Sequence, residues 1–297
     1  MKTCLHTVSY AGLWGQARLS VEETIDKAAA LGFDGIMLMA KRPHASVLDL
    51  TRQKLGDLKA RMDDHGLVCA CIAGYTNFTA DAEHGDIPDV ELHIHHTEHL
   101  GRIAAALGCK IIRVFTGYEN PAMGFHDAWR RCADALRQAA DRVADLNITL
   151  AVQNHHDIGA HYLALRELLE EVDRPNCGAA FDAWTPTLHG DDVVAAARAM
   201  ATLTVHTTAA DYVCLPRYHY QPALVNYGVQ DAYVRAVPMG EGIVDYRGFL
   251  GVLLAAGYSG YVGYEMCSPL RGGGGIENLD RCARRFLDTV AVTGSGA

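Results

Sequence analysis

A single α/β chain folded as a (β/α)₈ barrel is what this sequence predicts, and three observations carry that expectation. Apolar, strand-like runs alternate with amphipathic, helix-like segments over nearly the whole chain. Eight such units in strict alternation favour a closed barrel over an open sheet. At 297 residues the chain has the length of one barrel of roughly 250 residues carrying insertions.

Taken in order, the strand-like runs cover 4–9, 35–39, 67–73, 110–115, 148–153, 177–182, 203–206 and 261–265. Helical spacing covers 21–31, 49–65, 91–107, 128–146, 162–172, 193–200, 246–256 and 276–290. Ser20 followed by Glu23 has the spacing of a capping box. Gly32, Gly66, Gly108 and Gly257 stand just past helix ends, where a left-handed residue is favoured. One connection breaks the rhythm. Residues 207–245 hold a Tyr- and Pro-containing stretch without clear periodicity, expected to be a long loop forming a wall or lid over the site. The barrel is expected to occupy 1–292, with 293–297 a flexible tail.

Composition narrows the function classes. Hydrophobic content of 49% against 21% charged residues suits a globular core. A net charge of −9 argues against a nucleic-acid or anionic-membrane partner, because phosphate binding needs clustered positive charge. No apolar stretch is long enough to cross a bilayer, and MKTCLHTVSYAG lacks a secretory apolar region. The nine cysteines show no C-x-x-C pair and sit largely in apolar runs, as small buried hydrophobes do. The expectation is a reduced, cytoplasmic protein.

Four side chains that can ligate a metal end the later strand-like runs: Gln153 in ITLAVQNHHD, Asp182 in CGAAFDAW, His206 in TLTVHTTAAD and Glu265 in YVGYEMCSP. In a closed barrel the strand ends converge on one face, which carries the chemistry. Oxygen and imidazole donors there suit one divalent cation, Mn²⁺ foremost, with Mg²⁺, Co²⁺ or Zn²⁺ as alternatives. His155 and His156 follow Gln153, and a neutral imidazole near a metal is matched to proton transfer near neutral pH. Substrate-binding candidates are His6, Arg113, Trp184, Arg217 and Arg271: the arginines for a carboxylate or phosphate, Trp184 as an aromatic platform. The run Gly272–Gly275 reads equally as an anion cradle before a helix and as a flexible loop. His93, His95, His96 and His99 share one helix and read as a solvated surface.

With VPMGEGIVDY, these strand-end residues resemble the sugar phosphate isomerase/epimerase family, the xylose-isomerase-like TIM barrels. That family includes ketose 3-epimerases, hydroxypyruvate isomerase, inosose dehydratase, 3-dehydroshikimate dehydratase and, more distantly, endonuclease IV. The resemblance spans essentially the whole chain and implies that Gln153, Asp182, His206 and Glu265 hold one divalent metal. Where the family places Glu, this chain has Gln153, which leaves two carboxylates instead of three. Gln is no base, so the resemblance puts two-carboxylate epimerisation in question and turns attention to His155 or His156, with Glu265 as ligand and proton relay.

The activity implied is that of a metal-dependent isomerase or epimerase. It would abstract a proton beside the carbonyl of a keto- or aldo-sugar, or a derivative, through a metal-bound enediolate. The alternative is a lyase or dehydratase on an oxo-sugar, as in 3-oxo-glycoside (C-glycoside) deglycosylation or inosose dehydration. A second alternative is a non-catalytic barrel subunit; DNA repair of the endonuclease IV type fits poorly with the acidic charge. The expected partner is a small sugar or sugar derivative, with a homo-oligomer or a partner subunit also compatible.

Overall fold

A computed structural model describes residues 1–82 and 84–294. Strands β1 (Lys2–His6), β2 (Gly35–Met39), β3 (Val68–Ala73), β4 (Ile111–Val114), β5 (Thr149–Gln153), β6 (Cys177–Ala180), β7 (Thr204–Ala209) and β10 (Tyr261–Tyr264) close into one barrel. Every barrel pairing is parallel, and β1 meets β10 to complete the ring. Helices α1 (Val21–Leu31), α2 (Arg52–Asp64), α3 (Asp89–Ala106), α4 (Phe125–Ala144), α5 (Tyr162–Val172), α7 (Val193–Met200), α8 (Tyr246–Ala255) and α9 (Ile276–Gly294) pack around it. A one-turn helix, α6 (Trp184–His189), starts directly behind the β6 end.

Strand periodicity sorts the side chains into two layers. Leu5, Ile36, Leu38, Ile72, Ile112, Val114, Leu150 and Val152 join the large core beneath the helices. Cys4, Met37, Ala70, Cys71 and Ala73 form a separate cluster inside the barrel. The same alternation turns His6, Arg113 and Gln153, next to outward-facing Leu5, Ile112 and Val152, towards the interior.

Local signals act as the sequence reading expects. Ser20 and Glu23 form a reciprocal capping box at α1. Gly32 closes that helix with φ of 90°, its amide donating back to Ala28.

The segment 207–245 is different from the expected loop. It finishes β7 and then forms a long antiparallel ribbon, β8 (Asp211–Gln221) and β9 (Asn226–Val237). Its strand periodicity escapes a sequence reading because most of the ribbon is solvated on both faces, so no apolar alternation marks it. The base of the ribbon is fastened by Asp211, whose carboxylate accepts from the backbone amides of Gly240 (2.8 Å), Gly242 (2.9 Å) and Val244 (3.3 Å). A Cβ on Gly242 would stand 1.9 Å from Asp211 Oδ1, which explains the glycine in GEG.

The run Gly272–Gly275 is pinned by backbone pairing and so is not a loose loop. Gly274 pairs with Gln16, and its carbonyl accepts from Ala17 at 2.6 Å. A Cβ there would lie 2.1 Å from the Gly15 carbonyl, so close backbone packing requires the glycine. Of the expected tail, Thr293 and Gly294 belong to α9, and 295–297 lie outside the described residues.

Candidate active site at the carboxyl ends of the strands

Gln153 is the last residue of β5, Asp182 stands two residues past β6, and Glu265 directly follows β10. Asn154 ties the first two strand ends together. Its Nδ2 donates to the Asp182 carbonyl at 3.0 Å, and its Oδ1 accepts from the Asp182 amide at 2.8 Å. The Asp182 carboxylate accepts from Gln153 Nε2 (2.9 Å) and from the amides of Trp184 (3.1 Å) and Thr185 (3.3 Å). Gln153 Oε1 is buried and has no hydrogen-bond partner.

Gln153, His155, Asp182, Trp184, Glu265 and Cys267 line one small cavity of about 50 Å³. Trp184 leans on Tyr212, with ring centroids 4.3 Å apart, and so forms an aromatic wall beside Asp182. A second chamber of about 420 Å³ adjoins the first and shares His155, Glu265 and Cys267 with it. Its far side is built from Lys41, Tyr75 and Arg113. A chamber of this size suits a small molecule.

His206 departs from the expected position. It lies inside β7, which runs on to Ala209, and it is wholly buried with Nε2 3.4 Å from Met37 Sδ. Its Nδ1 has no partner, and burial, with help from Arg113, lowers its pKa to about 3, leaving a neutral imidazole. His6 is also wholly buried and faces Glu265, Nδ1 to Oε1 3.4 Å. Burial lowers the His6 pKa, against the opposing pull of Glu265.

The two carboxyls are set apart electrostatically. Burial raises the Asp182 pKa, and the Glu265 charge adds to the rise. Burial pushes Glu265 upward too, but His6, Arg113 and His155 outweigh it and hold its pKa at about 2.

His155 and His156 part company. The β5 strand ends before both, yet His155 lines the same small cavity as Gln153. His155 is exposed and borders both cavities. His156 is held in a left-handed backbone conformation, φ 65°, stacked on Tyr118 and 2.9 Å from its hydroxyl, and burial lowers its pKa to about 3.

Of the three arginines, Arg113 alone reaches the site. Arg217 lies on the exposed ribbon opposite Gln230, and Arg271 is on an exposed turn behind it. Neither lines the two cavities. His93, expected on the solvated face of its helix, turns inward and lines the larger chamber. Lys41, Tyr75, Cys267 and Tyr246 also line these cavities without standing among the candidates read from the sequence, because chambers made between strands leave no spacing signal.

The donor chemistry fits a hard divalent cation: two carboxylates, an amide oxygen without a partner and a neutral imidazole nitrogen without a partner. Among the described residues no three His, Cys, Asp or Glu side chains are already arranged around a common ion position.

The architecture and this constellation define a (β/α)₈ barrel with a polar, carboxylate-bearing pocket at its strand ends. The sequence model of the xylose isomerase-like TIM barrel family matches residues 25–285, and the chain belongs to that family. Among solved structures, the fold is similar to that of a D-allulose 3-epimerase from Methylomonas sp., with 16% identity, 99% of this chain and 98% of that one covered, and a TM-score of 0.75. The probable 3-DHS dehydratase of Bacillus anthracis gives 19% identity, 97% and 99% coverage and a TM-score of 0.73. The 3-keto-D-glucoside 4-epimerase of E. coli gives 17%, 99% and 99%, and 0.72. No curated protein matches in sequence. Among the described residues no helix is long and apolar enough to cross a membrane.

Proposed function

We propose that this protein is an enzyme that moves a proton beside the carbonyl of a sugar or sugar derivative, as an isomerase or epimerase. The observation that carries the reading is one pocket edge shared by ionised Glu265, Asp182 and exposed His155. The ketose and keto-glucoside epimerases of the same fold support this choice of reaction.

Gln153 Oε1, Asp182, Glu265 and His206 Nδ1 are the residues that would hold a divalent metal, which when bound supplies Lewis-acid polarisation of a carbonyl. The chain's own groups do the rest. Trp184 and Tyr212 wall one side of the bound molecule and exclude water. His155 takes the proton from the carbon beside the carbonyl, because it faces both chambers and no hydrogen bond of its side chain occupies it. Return of that proton to the neighbouring carbon, with the hydroxyl proton passing to the former carbonyl oxygen, gives isomerisation, and protonation of the original carbon from the opposite face gives epimerisation.

Elimination is the second reading, and Gln153 favours it. With an amide where a second carboxylate base would stand, a two-base epimerisation lacks one partner, whereas in elimination the proton that His155 removes can be returned to the departing β-substituent, so one acid/base group serves both steps. The dehydratase of the same fold is consistent with that outcome.

Incubation of Mn²⁺-loaded protein in D₂O with keto-sugars and 3-oxo-glycosides tests both. Deuterium in an isomeric sugar supports the first reading, and a released aglycone or water-loss product supports the second. No deuterium uptake and no product from either set would leave the barrel as a non-catalytic subunit.

A further inference from the structure

Arg113 is the largest fully buried side chain of the protein, yet it is incompletely satisfied. Its guanidinium is clamped between rings, with Cζ 4.0 Å from the Phe115 centroid and 4.9 Å from that of Tyr75. Nη1 donates to the Gly74 carbonyl at 3.1 Å. Nε and Nη2 are buried and have no partner. Those two N–H groups lie on one edge of the guanidinium, the edge that takes both oxygens of a carboxylate side by side. Arg113 is among the residues that line the larger chamber.

A second cation stands beside it. Lys41 Nζ lies 3.8 Å from the Tyr75 centroid, on the same chamber. Tyr75 thus carries Arg113 and Lys41 at once, and burial together with the Arg113 charge lowers the Lys41 pKa. Two cations on one wall of the chamber attract an anion, and a planar carboxylate matches the open edge.

We propose that the Arg113–Lys41 end of the larger chamber binds a carboxylate of the substrate, so that the enzyme acts on an acidic sugar or polyhydroxy acid rather than a neutral one. The anion would sit against Tyr75, leaving the carbonyl end of the molecule at His155 and Glu265, where the chamber joins the smaller cavity. This rests on the reading above that the pocket takes a sugar or sugar derivative.

Titration calorimetry of the full chain with D-glucuronate, its neutral analogue D-glucuronamide, D-glucose and inorganic phosphate tests it. D-glucuronate is expected to bind at least about tenfold more tightly than the amide or glucose, the size of one charge-assisted pair. Arg113→Met and Lys41→Met should each erase that preference. Lys41 is only half-buried, so its variant keeps the test open if loss of Arg113 unfolds the barrel. Equal binding of acid and amide, tighter binding of phosphate, an unchanged preference in Lys41→Met, or no carboxylate binding at all would overturn the proposal. Its failure is separable from that of the function: neutral sugars that exchange deuterium without an acid preference sink only the anchor. An acid preference with no proton exchange in any carbonyl compound sinks only the chemistry.

Discussion

His6 Nδ1 lies 3.4 Å from Glu265 Oε1, joining the end of the first barrel strand to the end of the last. His6 is fully buried and the Glu265 side chain is 14% exposed. The barrel's closing seam therefore positions the carboxylate assigned here to the site.

That carboxylate gives a pH dependence with a definite sign. Its native pKa, about 2, lies below the ordinary 4.5. The folded state then binds fewer protons than the unfolded one in that window. Stability is fully present above about pH 4.5 and declines as pH falls towards 2. Glu265→Gln should remove this contribution, roughly 3 kcal/mol at most. Urea unfolding of metal-free protein across the window is expected to show a flatter acid limb for the variant; an unchanged slope would assign the acid sensitivity elsewhere.

Metal addition is expected to raise the melting temperature of chelator-treated protein. Saturation a hundredfold above Kd contributes about 2.7 kcal/mol, a shift of several degrees for a domain this size. Asp182→Asn should lose most of that shift, because it weakens one of two carboxylate donors. Calorimetry with and without Mn²⁺ reads it, and elemental analysis of the loaded protein counts the bound ion.

His155→Ala should slow solvent-deuterium exchange into a bound carbonyl compound by about 10²–10⁴-fold, the usual worth of a positioned base. His156→Ala should cost far less, since that ring is engaged with Tyr118. Proton NMR of the product reads both variants. A larger loss from His156 would reverse the assignment.

Asp211→Ala should destabilise the fold by about 3 kcal/mol, because several ribbon-base amides lose their acceptor together. Denaturant unfolding measures this. Truncation of the ribbon beyond Leu215, which removes only solvated pairs, should leave the midpoint nearly unchanged.

The barrel itself was legible because burial on both faces of a parallel strand writes long apolar runs into the chain, and capping residues mark helix ends in plain order. Val21–Leu31, Gly35–Met39 and Tyr162–Val172 fall where local periodicity put them. The ribbon was not legible, since strands wetted on both sides carry no such pattern.

What the sequence determined alone is the eight-unit alternation and the candidate donors near its strand ends, properties of neighbours along the chain. Tertiary structure alone decided the rest. It buried His206 within β7 beside Met37, left Arg217 and Arg271 away from the cavities, and set Arg113 and Lys41 on one ring. These relations join residues far apart in sequence, and their energies depend on distance and burial, which arise only once the barrel closes.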